Sequence, residues 1–359
     1  MYIVYDYSDG SITIYQEIYL KYVFFSIGLM CLLILLLGNL VLIINRKKEK
    51  LFYTNFLCKY SMTAIKGMAI LIIIMGHLGN IFGVRVFNPL GSCGVAIFLF
   101  CSGYGLQKSY YKKNLKNYWK KRFFAAYIPY ICIEIISYIF LVKEISALEI
   151  IKDIILIDTV HPFGWYMQCL FIWYISFYFS SLLEQRKQGL KYWGLFMTSL
   201  LLFIFMRSLF KQQAVSFVLG VWMASDNSKY KTDSINIGII LGILGVALLG
   251  IKQIAIIRNS SWIIFYAVEM FQCTLLGMSI ILIVDNLVKN KREIISKSLY
   301  CIGIISYEIY LIHAFLLPQY PSYHGIFIFY VLTLLCSLFM YVTNKLIKRS
   351  CRYEKVKSI

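Results

Sequence analysis

Charged residues are scarce in this sequence. Asp, Glu, Lys and Arg together make up 15% of its 359 residues, whereas 60% are hydrophobic. A soluble domain of this length needs far more polar surface. The apolar residues form repeated runs of about 20, the length of an α-helix that crosses a bilayer. Alternating segments of about ten residues, typical of a transmembrane β-barrel, are missing. The composition therefore predicts an all-α polytopic membrane protein.

Two classes of cysteine site are also missing. The ten cysteines lie mostly inside apolar runs, no C-x-x-C occurs, and no group of Cys and His has the spacing of a zinc site. We therefore expect neither a metal nor a structural disulfide. The N-terminus lacks the basic first segment and the cleavage site of a signal peptide, and its apolar run is too long for one. We expect this run to be retained as a membrane helix.

Acidic residues are the rarer charged type. The chain has 17 Asp and Glu against 36 Lys and Arg, a net charge of +19. In a soluble protein this excess would suggest nucleic-acid binding. Here the cations lie between the apolar runs, where they fix orientation and contact anionic lipid headgroups. We therefore expect a membrane-lipid partner and no nucleic acid.

The apolar runs predict about eleven transmembrane helices. They cover residues 22–45, 64–82, 92–107, 123–142, 165–183, 193–210, 213–225, 235–251, 262–285, 298–317 and 325–347. With the N-terminus outside, only eight of the 36 cations face the outer side: Lys21, Arg85, Lys143, Lys152, Arg207, Lys211, Lys252 and Arg258. This asymmetry follows the positive-inside rule and predicts an N-out, C-in orientation. Two further segments are amphipathic: 46–63 on the cytoplasmic surface and 144–160 on the outer side.

One ionisable residue lies deep inside an apolar run. His77 follows Lys66 by eleven positions, and every residue between them is apolar or small. A helix rises about 1.5 Å per residue, so His77 lies about 16 Å beyond Lys66. If Lys66 marks a membrane surface, His77 is near the middle of the bilayer, where ionisable residues are usually functional. Because imidazole exchanges protons near neutral pH, His77 is our candidate general base. The alternative is a neutral histidine hydrogen-bonded inside the bundle.

Three more segments follow the Lys66-to-His77 helix in order. They are Gly91-Ser-Cys-Gly-Val-Ala-Ile-Phe-Leu-Phe-Cys-Ser-Gly-Tyr104, Lys121-Arg-Phe-Phe-Ala-Ala-Tyr-Ile-Pro129 and Ile305-Ser-Tyr-Glu-Ile-Tyr-Leu-Ile-His313. Together the four segments resemble the acyltransferase 3 family of integral membrane O-acyltransferases, from about Ser61 to Lys348. The resemblance implies a ten-helix acyltransferase domain at 61–348. Residues 1–60 would add one N-terminal helix and the cytoplasmic amphipathic segment, and 349–359 a basic cytoplasmic tail.

The resemblance also implies a reaction. The donor would be a cytoplasmic acyl-CoA, most simply acetyl-CoA, and no metal would be needed. The acceptor would be a hydroxyl of a cell-surface or lipid-linked carbohydrate, such as an exopolysaccharide of the cell envelope, at the cytoplasmic membrane. Two positions depart from the family pattern: Lys66 stands where an Arg is usual, and Ala126 replaces a further Arg three residues before Pro129. Both changes concern the binding of the donor, because Lys lacks the bidentate fork of Arg.

The resemblance and the predicted topology supply the other candidate residues. Lys66, Lys121 and Arg122 would hold the phosphates of coenzyme A, and an aromatic ring of the same loop (Tyr110, Tyr111, Tyr118 or Trp119) would stack on its adenine. The alternative for the loop lysines is a solvated loop that sets the topology near anionic lipid. Glu308 would act with His77 as a catalytic residue or line the acceptor path, unless it is a structural partner of a nearby Tyr or Lys. The candidates for acceptor binding are Ser102, Tyr104, His161, Trp165, Tyr166 and His313. Helix packing around residues 91–105 and an interfacial aromatic belt are the alternatives for these.

Two other functions compete with the enzyme. A transporter or exporter of a polysaccharide subunit would share the many spans and buried charges, but transporters typically have two matching halves, and this sequence has no such repeat. A non-catalytic membrane partner protein is the second rival, and it would make His77 replaceable. The sequence does not predict the oligomeric state.

Single-cysteine labelling in a cysteine-free background tests the orientation. Probes at Ser8 and Ser322 should react with an impermeant reagent in intact cells, because both positions are predicted to lie outside. Probes at Asn114, Asn290 and Ser358 should react only after permeabilisation. Labelling of Asn114 in intact cells would place the basic loop on the outer side and contradict the prediction.

Overall fold

The computed structural model describes residues 12–44, 56–140, 145–161, 163–225, 234–290 and 293–357. Regular structure within these ranges is helical throughout. The α-helices are α1 (Ile12–Ile44), α2 (Lys59–Ile81), α3 (Asn88–Lys113), α4 (Tyr118–Arg122), α5 (Ile128–Phe140), α6 (Ala147–Ile154), α7 (Trp165–Arg186), α8 (Leu190–Phe205), α9 (Ser208–Gln212), α10 (Ser216–Ser225), α11 (Ser234–Gln253), α12 (Ala255–Arg258), α13 (Trp262–Lys289), α14 (Glu293–Ile304), α15 (Ser306–Leu316) and α16 (Tyr323–Lys357). A π-helical segment, Phe123–Tyr127, joins α4 to α5.

Seven helices within the described residues are long and apolar enough to cross a membrane. They lie at Lys59–Ile81, Asn88–Lys113, Tyr118–Phe140, Trp165–Arg186, Ile235–Gln253, Trp262–Lys289 and Tyr323–Ile347. The bent pair α14–α15 forms an eighth candidate, and Leu20–Leu36 and Leu190–Phe205 are shorter apolar helices. The prediction of an all-helical polytopic membrane protein is confirmed. The count of eleven spans and the orientation stay predictions.

The predicted span 298–317 is not one helix. It consists of α14 and α15, whose axes meet at 72° around Ile305. The Ser306 hydroxyl donates a hydrogen bond of 2.9 Å to the Gly303 carbonyl, the group that would accept from Tyr307 N–H in a continuous helix. The bend therefore has a local cause, a side chain that competes for a helical carbonyl.

Glycines allow the central helices to touch through their backbones. A Cβ added at Gly67 of α2 would clash with the carbonyl of Leu299 in α14, and one at Gly303 of α14 would clash with the carbonyl of Thr63 in α2. The same reciprocal contact joins α3 and α10 through Gly103 and Gly220. Small residues at helix contacts are the usual means of close packing in membranes. Helix α2 also packs on α3, so it is held between two neighbours.

The two predicted amphipathic segments, 46–63 and 144–160, differ in part from the structure. Residues 46–55 of the cytoplasmic amphipathic segment lie outside the described residues, and residues 59–63 begin α2 instead of a surface helix. Phe56 and Leu57 are buried, and the Leu57 N–H donates to the Asp285 carboxylate at 3.2 Å. Helix α6 lies within the other predicted amphipathic segment, 144–160, and a Ser146–Glu149 capping box begins it.

The extra N-terminal helix packs against the bundle. α1 contacts α14 and α16, and its Ser26 hydroxyl lies 3.0 Å from the Tyr330 hydroxyl. The same two side chains lie within 3.9 Å of the Met75 sulfur, two positions before His77. At the other end of the chain, α16 continues to Lys357, so residues 349–357 of the predicted tail are helical.

The contact between α2 and α14 generates a prediction. Gly67→Ala should lower the thermal stability of the detergent-solubilised protein, because the new methyl group forces the two backbones apart at a cost of about 1–3 kcal/mol. Gly105→Ala on α3 is the matched control, since nothing lies within 4 Å of a Cβ at that exposed position. Equal melting temperatures for the two variants would contradict the close contact.

Candidate active site

Lys66 and His77 lie on one face of α2. Eleven residues correspond to just over three helical turns, so the two side chains point within about 20° of each other and lie about 16 Å apart along the axis. Both are partly buried. Lys66 lies within electrostatic range of the Cys101 thiol on α3. The face that carries both residues is therefore partly covered by other helices.

Three histidines meet at the His77 end of α2. His77, His161 and His313, which we call the histidine cluster, surround Phe163. The His77 ring lies 5.3 Å from the His313 ring, centre to centre, and 4.3 Å from the Phe163 ring. The His161 ring lies 5.4 Å from Phe163. The cluster therefore combines α2, α15 and the segment that precedes α7.

His313 is fully buried, and its backbone neighbours fix its protonation pattern. Its Nδ1 lies 2.7 Å from the Tyr310 carbonyl and 3.2 Å from the Ile309 carbonyl. Carbonyl oxygens only accept hydrogen bonds, so Nδ1 carries the proton and Nε2 carries the lone pair. Among the described residues, nothing donates a hydrogen bond to Nε2.

A basic cleft lies near the junction of α3 and α4. Lys116, Lys121 and Arg122 line it, together with Tyr110 and Tyr118, and it encloses about 240 Å³ including its open side. The remaining lining residues are Leu106, Ser109, Asn114, Leu115 and Phe177. Cations beside aromatic rings form a surface suited to a phosphorylated, aromatic ligand.

Arg122 connects this basic cleft to α3. Its guanidinium lies 5.5 Å from the centre of the Tyr174 ring, and its buried Nε has no hydrogen-bond partner within the described chain. The Tyr174 hydroxyl lies 3.4 Å from the Ser102 hydroxyl on α3. Side chains therefore link Arg122 through Tyr174 to α3, the helix that packs on α2 with its Lys66 and His77.

Comparison with known proteins decides the family. The family model described as an acyltransferase domain, Acyl_transf_3, matches residues 59–343, which is most of the chain. The chain belongs to the acyltransferase 3 family. No curated protein matches it, and no solved structure does. The match begins at Lys59, the first residue of α2, so α1 precedes the matched part of this acyltransferase.

The predicted residues of the acyltransferase fall into three groups. His77, His161 and His313 come together in the histidine cluster, and Tyr166 joins it through the Tyr310 ring, 4.8 Å away. Lys121, Arg122 and Ser102 lie at or beside the basic cleft. Trp165 instead packs on Phe210 at 5.8 Å, and the buried Tyr104 lies beside Phe100, with the Lys108 ammonium 5.5 Å from its ring.

Glu308 and His313 lie at different positions along α15. Glu308 is buried in the first turn, five residues and about 7.5 Å before His313, and five residues rotate it by about 140° from that side chain. Its pairing with His77 stays a prediction. In the described part of the acyltransferase, no three His, Cys, Asp or Glu side chains are arranged to hold a metal.

Three aromatic residues of the site were not singled out from the sequence. Phe163 lies at the centre of the histidine cluster, and Tyr310 donates a hydrogen bond of 2.8 Å to its carbonyl. The third, Tyr174, lies beside the Arg122 guanidinium. Phe163 and Tyr310 lie two and three residues from His161 and His313, so the candidate histidines could have pointed to them. No sequence feature distinguishes Tyr174, because α7 contains many aromatic residues.

His161 lies outside the predicted transmembrane spans, and its protonation should make the stability of the protein depend on pH. Burial, and to a smaller extent the nearby His313, lower the pKa of His161 from 6.5 to about 4. The unfolded chain therefore takes up this proton at higher pH than the folded chain, and the free energy of unfolding should fall as the pH drops from 6.5 towards 4.

Thermal unfolding of the detergent-solubilised protein at pH 7 and pH 5 tests this effect. His161→Gln should lose less stability between the two pH values than the parent does, since it has no proton to take up. His324→Gln, at an exposed position, should keep the pH dependence of the parent. The same pH dependence in the parent and in His161→Gln would show that His161 does not titrate in this way.

Proposed function

We propose that this membrane acyltransferase transfers an acyl group, most simply acetyl, from a cytoplasmic acyl-CoA to a hydroxyl of a cell-surface or lipid-linked carbohydrate. The observation that carries the proposal is the series of side chains from Arg122 through Tyr174 to Ser102 on α3, the helix that packs on α2 with its Lys66 and His77. A cleft with the chemistry of a coenzyme A site therefore lies one helix away from a group with the chemistry of a base.

The donor side is supported by the residues of the basic cleft. Coenzyme A carries phosphates and an adenine ring. Lys121 and Arg122 offer charge to the phosphates, and Tyr110 and Tyr118 offer aromatic faces to the adenine. The unpartnered Nε of Arg122 is a buried donor that a phosphate oxygen would satisfy. The pantetheine arm would then run along the α2 face, which is about 16 Å long between Lys66 and His77.

The acceptor side is supported by the histidine cluster. A sugar hydroxyl beside His77 would give up its proton to a ring nitrogen while its oxygen attacks the thioester carbonyl. The carbon–oxygen bond forms, the carbon–sulfur bond breaks, and the proton passes to the departing thiolate of coenzyme A. Phe163, 4.3 Å from His77, covers the imidazole and limits the access of water.

The bend at Ile305 favours one rival function. Discontinuous helices near the middle of a membrane are typical of transporters, and α14 and α15 form such a pair. An exporter of a polysaccharide subunit would move the carbohydrate without modifying it. Loss of the protein would then lower the amount of surface polysaccharide, whereas loss of an acyltransferase would lower only its acylation.

Mass analysis of surface glycans tests the reaction and the base together. His77→Ala should lower acylation by about 10²–10⁴-fold, the usual effect of removing a general base, with expression and membrane insertion unchanged. His324→Gln is the control, because this histidine is exposed at the start of α16. Near-normal acylation by His77→Ala would remove His77 from the mechanism. Unmodified glycans in the presence of the parent protein would contradict the whole proposal.

Substitutions of Lys66 on α2 and of Arg122 in the basic cleft test the binding of the donor. Lys66→Ala and Arg122→Ala should raise the KM for acetyl-CoA about tenfold or more, because each removes a charge that binds phosphate. Lys66→Arg should keep or improve binding, since the guanidinium forms a bidentate pair. Lys113→Ala, an exposed residue that does not line the cleft, should leave the KM unchanged. Equal KM values for the parent and both alanine variants would refute the phosphate role.

A further inference from the structure

The Nε2 atom of His313 has no hydrogen-bond partner among the described residues, although the side chain is fully buried. The proton on the other ring nitrogen, Nδ1, is donated to the Tyr310 carbonyl. A buried polar atom without a partner costs about 1–3 kcal/mol. An unpartnered buried atom calls for an explanation, and a catalytic role is one of those that proteins provide.

His77 is the neighbour that can supply the missing donor. Two imidazoles joined by an N–H···N hydrogen bond of about 3 Å have ring centres about 5 Å apart, since each nitrogen lies about 1 Å from its ring centre. The rings of His77 and His313 are 5.3 Å apart. At this separation, a rotation of the partly buried His77 ring can bring one of its nitrogens into hydrogen-bonding distance of His313 Nε2.

If His77 acts as a base inside the membrane, it needs a hydrogen-bond acceptor. When His77 takes a proton, both of its nitrogens carry hydrogen, and the positive charge lies in a medium of low dielectric constant. The nitrogen opposite the substrate must then donate to something. His313 Nε2 is a lone pair of fixed direction, because the Nδ1 bond to Tyr310 prevents the other tautomer.

We propose that His313 is a positioning residue for His77, an inference that rests on the proposed acyl transfer. His313 Nε2 accepts a hydrogen bond from one N–H of His77 and thereby directs the lone pair of the other His77 nitrogen towards the acceptor hydroxyl. During transfer the hydroxyl proton moves to that nitrogen and then to the leaving thiolate. His313 keeps its own proton on Nδ1 throughout and stabilises the charged His77 by accepting its hydrogen bond.

Two amide substitutions test the roles of the two ring nitrogens of His313 separately. In His313→Gln the amide reaches approximately the position of Nε2, so its oxygen can still accept from His77. In His313→Asn the amide reaches only the position of Nδ1, so the bond to Tyr310 can persist while the acceptor is lost. We expect His313→Gln to stay within about tenfold of the parent kcat and His313→Asn to lose about 100-fold or more, each with an unchanged KM for acetyl-CoA.

Equal kcat values for the two variants would overturn the inference, because a merely structural histidine gives no reason for Gln to rescue and Asn to fail. Nitrogen NMR of the parent protein labelled with ¹⁵N-histidine provides a second test that needs no variant. It should find a protonated Nδ1 and a hydrogen-bonded, unprotonated Nε2 in His313, and a protonated Nε2 would refute the proposal. An active His77→Ala would instead refute the proposed function itself, so the two failures are distinguishable.

Discussion

The low dielectric constant of the hydrocarbon core governs where this protein can hold ionisable groups. A charged or basic side chain there needs protein around it, because lipid offers neither hydrogen bonds nor counter-charge. Helix α2, which carries Lys66 and His77, has 72% of its most apolar stretch buried, whereas α11 has 11%. The two residues of the proposed reaction are thus on a largely buried helix, and the largely exposed α11 carries neither.

Two carboxylates outside the site meet the same requirement. Glu269 on α13 is bonded to Lys252 and to Gln212, and the buried Asp153 on α6 accepts hydrogen bonds from Tyr130 and Tyr138 of α5. Each of these carboxylates has partners from another helix, so each contributes to packing. The free Nε2 of His313 and the free Nε of Arg122 differ from them, and both lie where the proposed reaction has a ligand or a base to place.

Much of the candidate site could be predicted, because Lys66 and His77 lie close together in the sequence, on one helix. The spacing of Lys66 and His77 fixes their shared face through helical periodicity alone, and the four ordered segments indicate the family. The bend at Ile305 was not predictable, because α14 and α15 form one continuous apolar run, and a single hydrogen bond from Ser306 ends the helix. The stacking of Arg122 on Tyr174 also escaped prediction, since the partners are 52 positions apart and only the tertiary packing of α4 against α7 brings them together.

The proposed direction of transfer depends on two sites at different levels of one helix, with the donor at Lys66 and the acceptor at His77. Purified protein in sealed vesicles of known orientation tests it most directly, with labelled acetyl-CoA and a carbohydrate acceptor supplied on chosen sides. Our account predicts acylation when acetyl-CoA is on the side of the basic cleft and the acceptor is on the opposite side. Acylation that requires both substrates on the same side would contradict it.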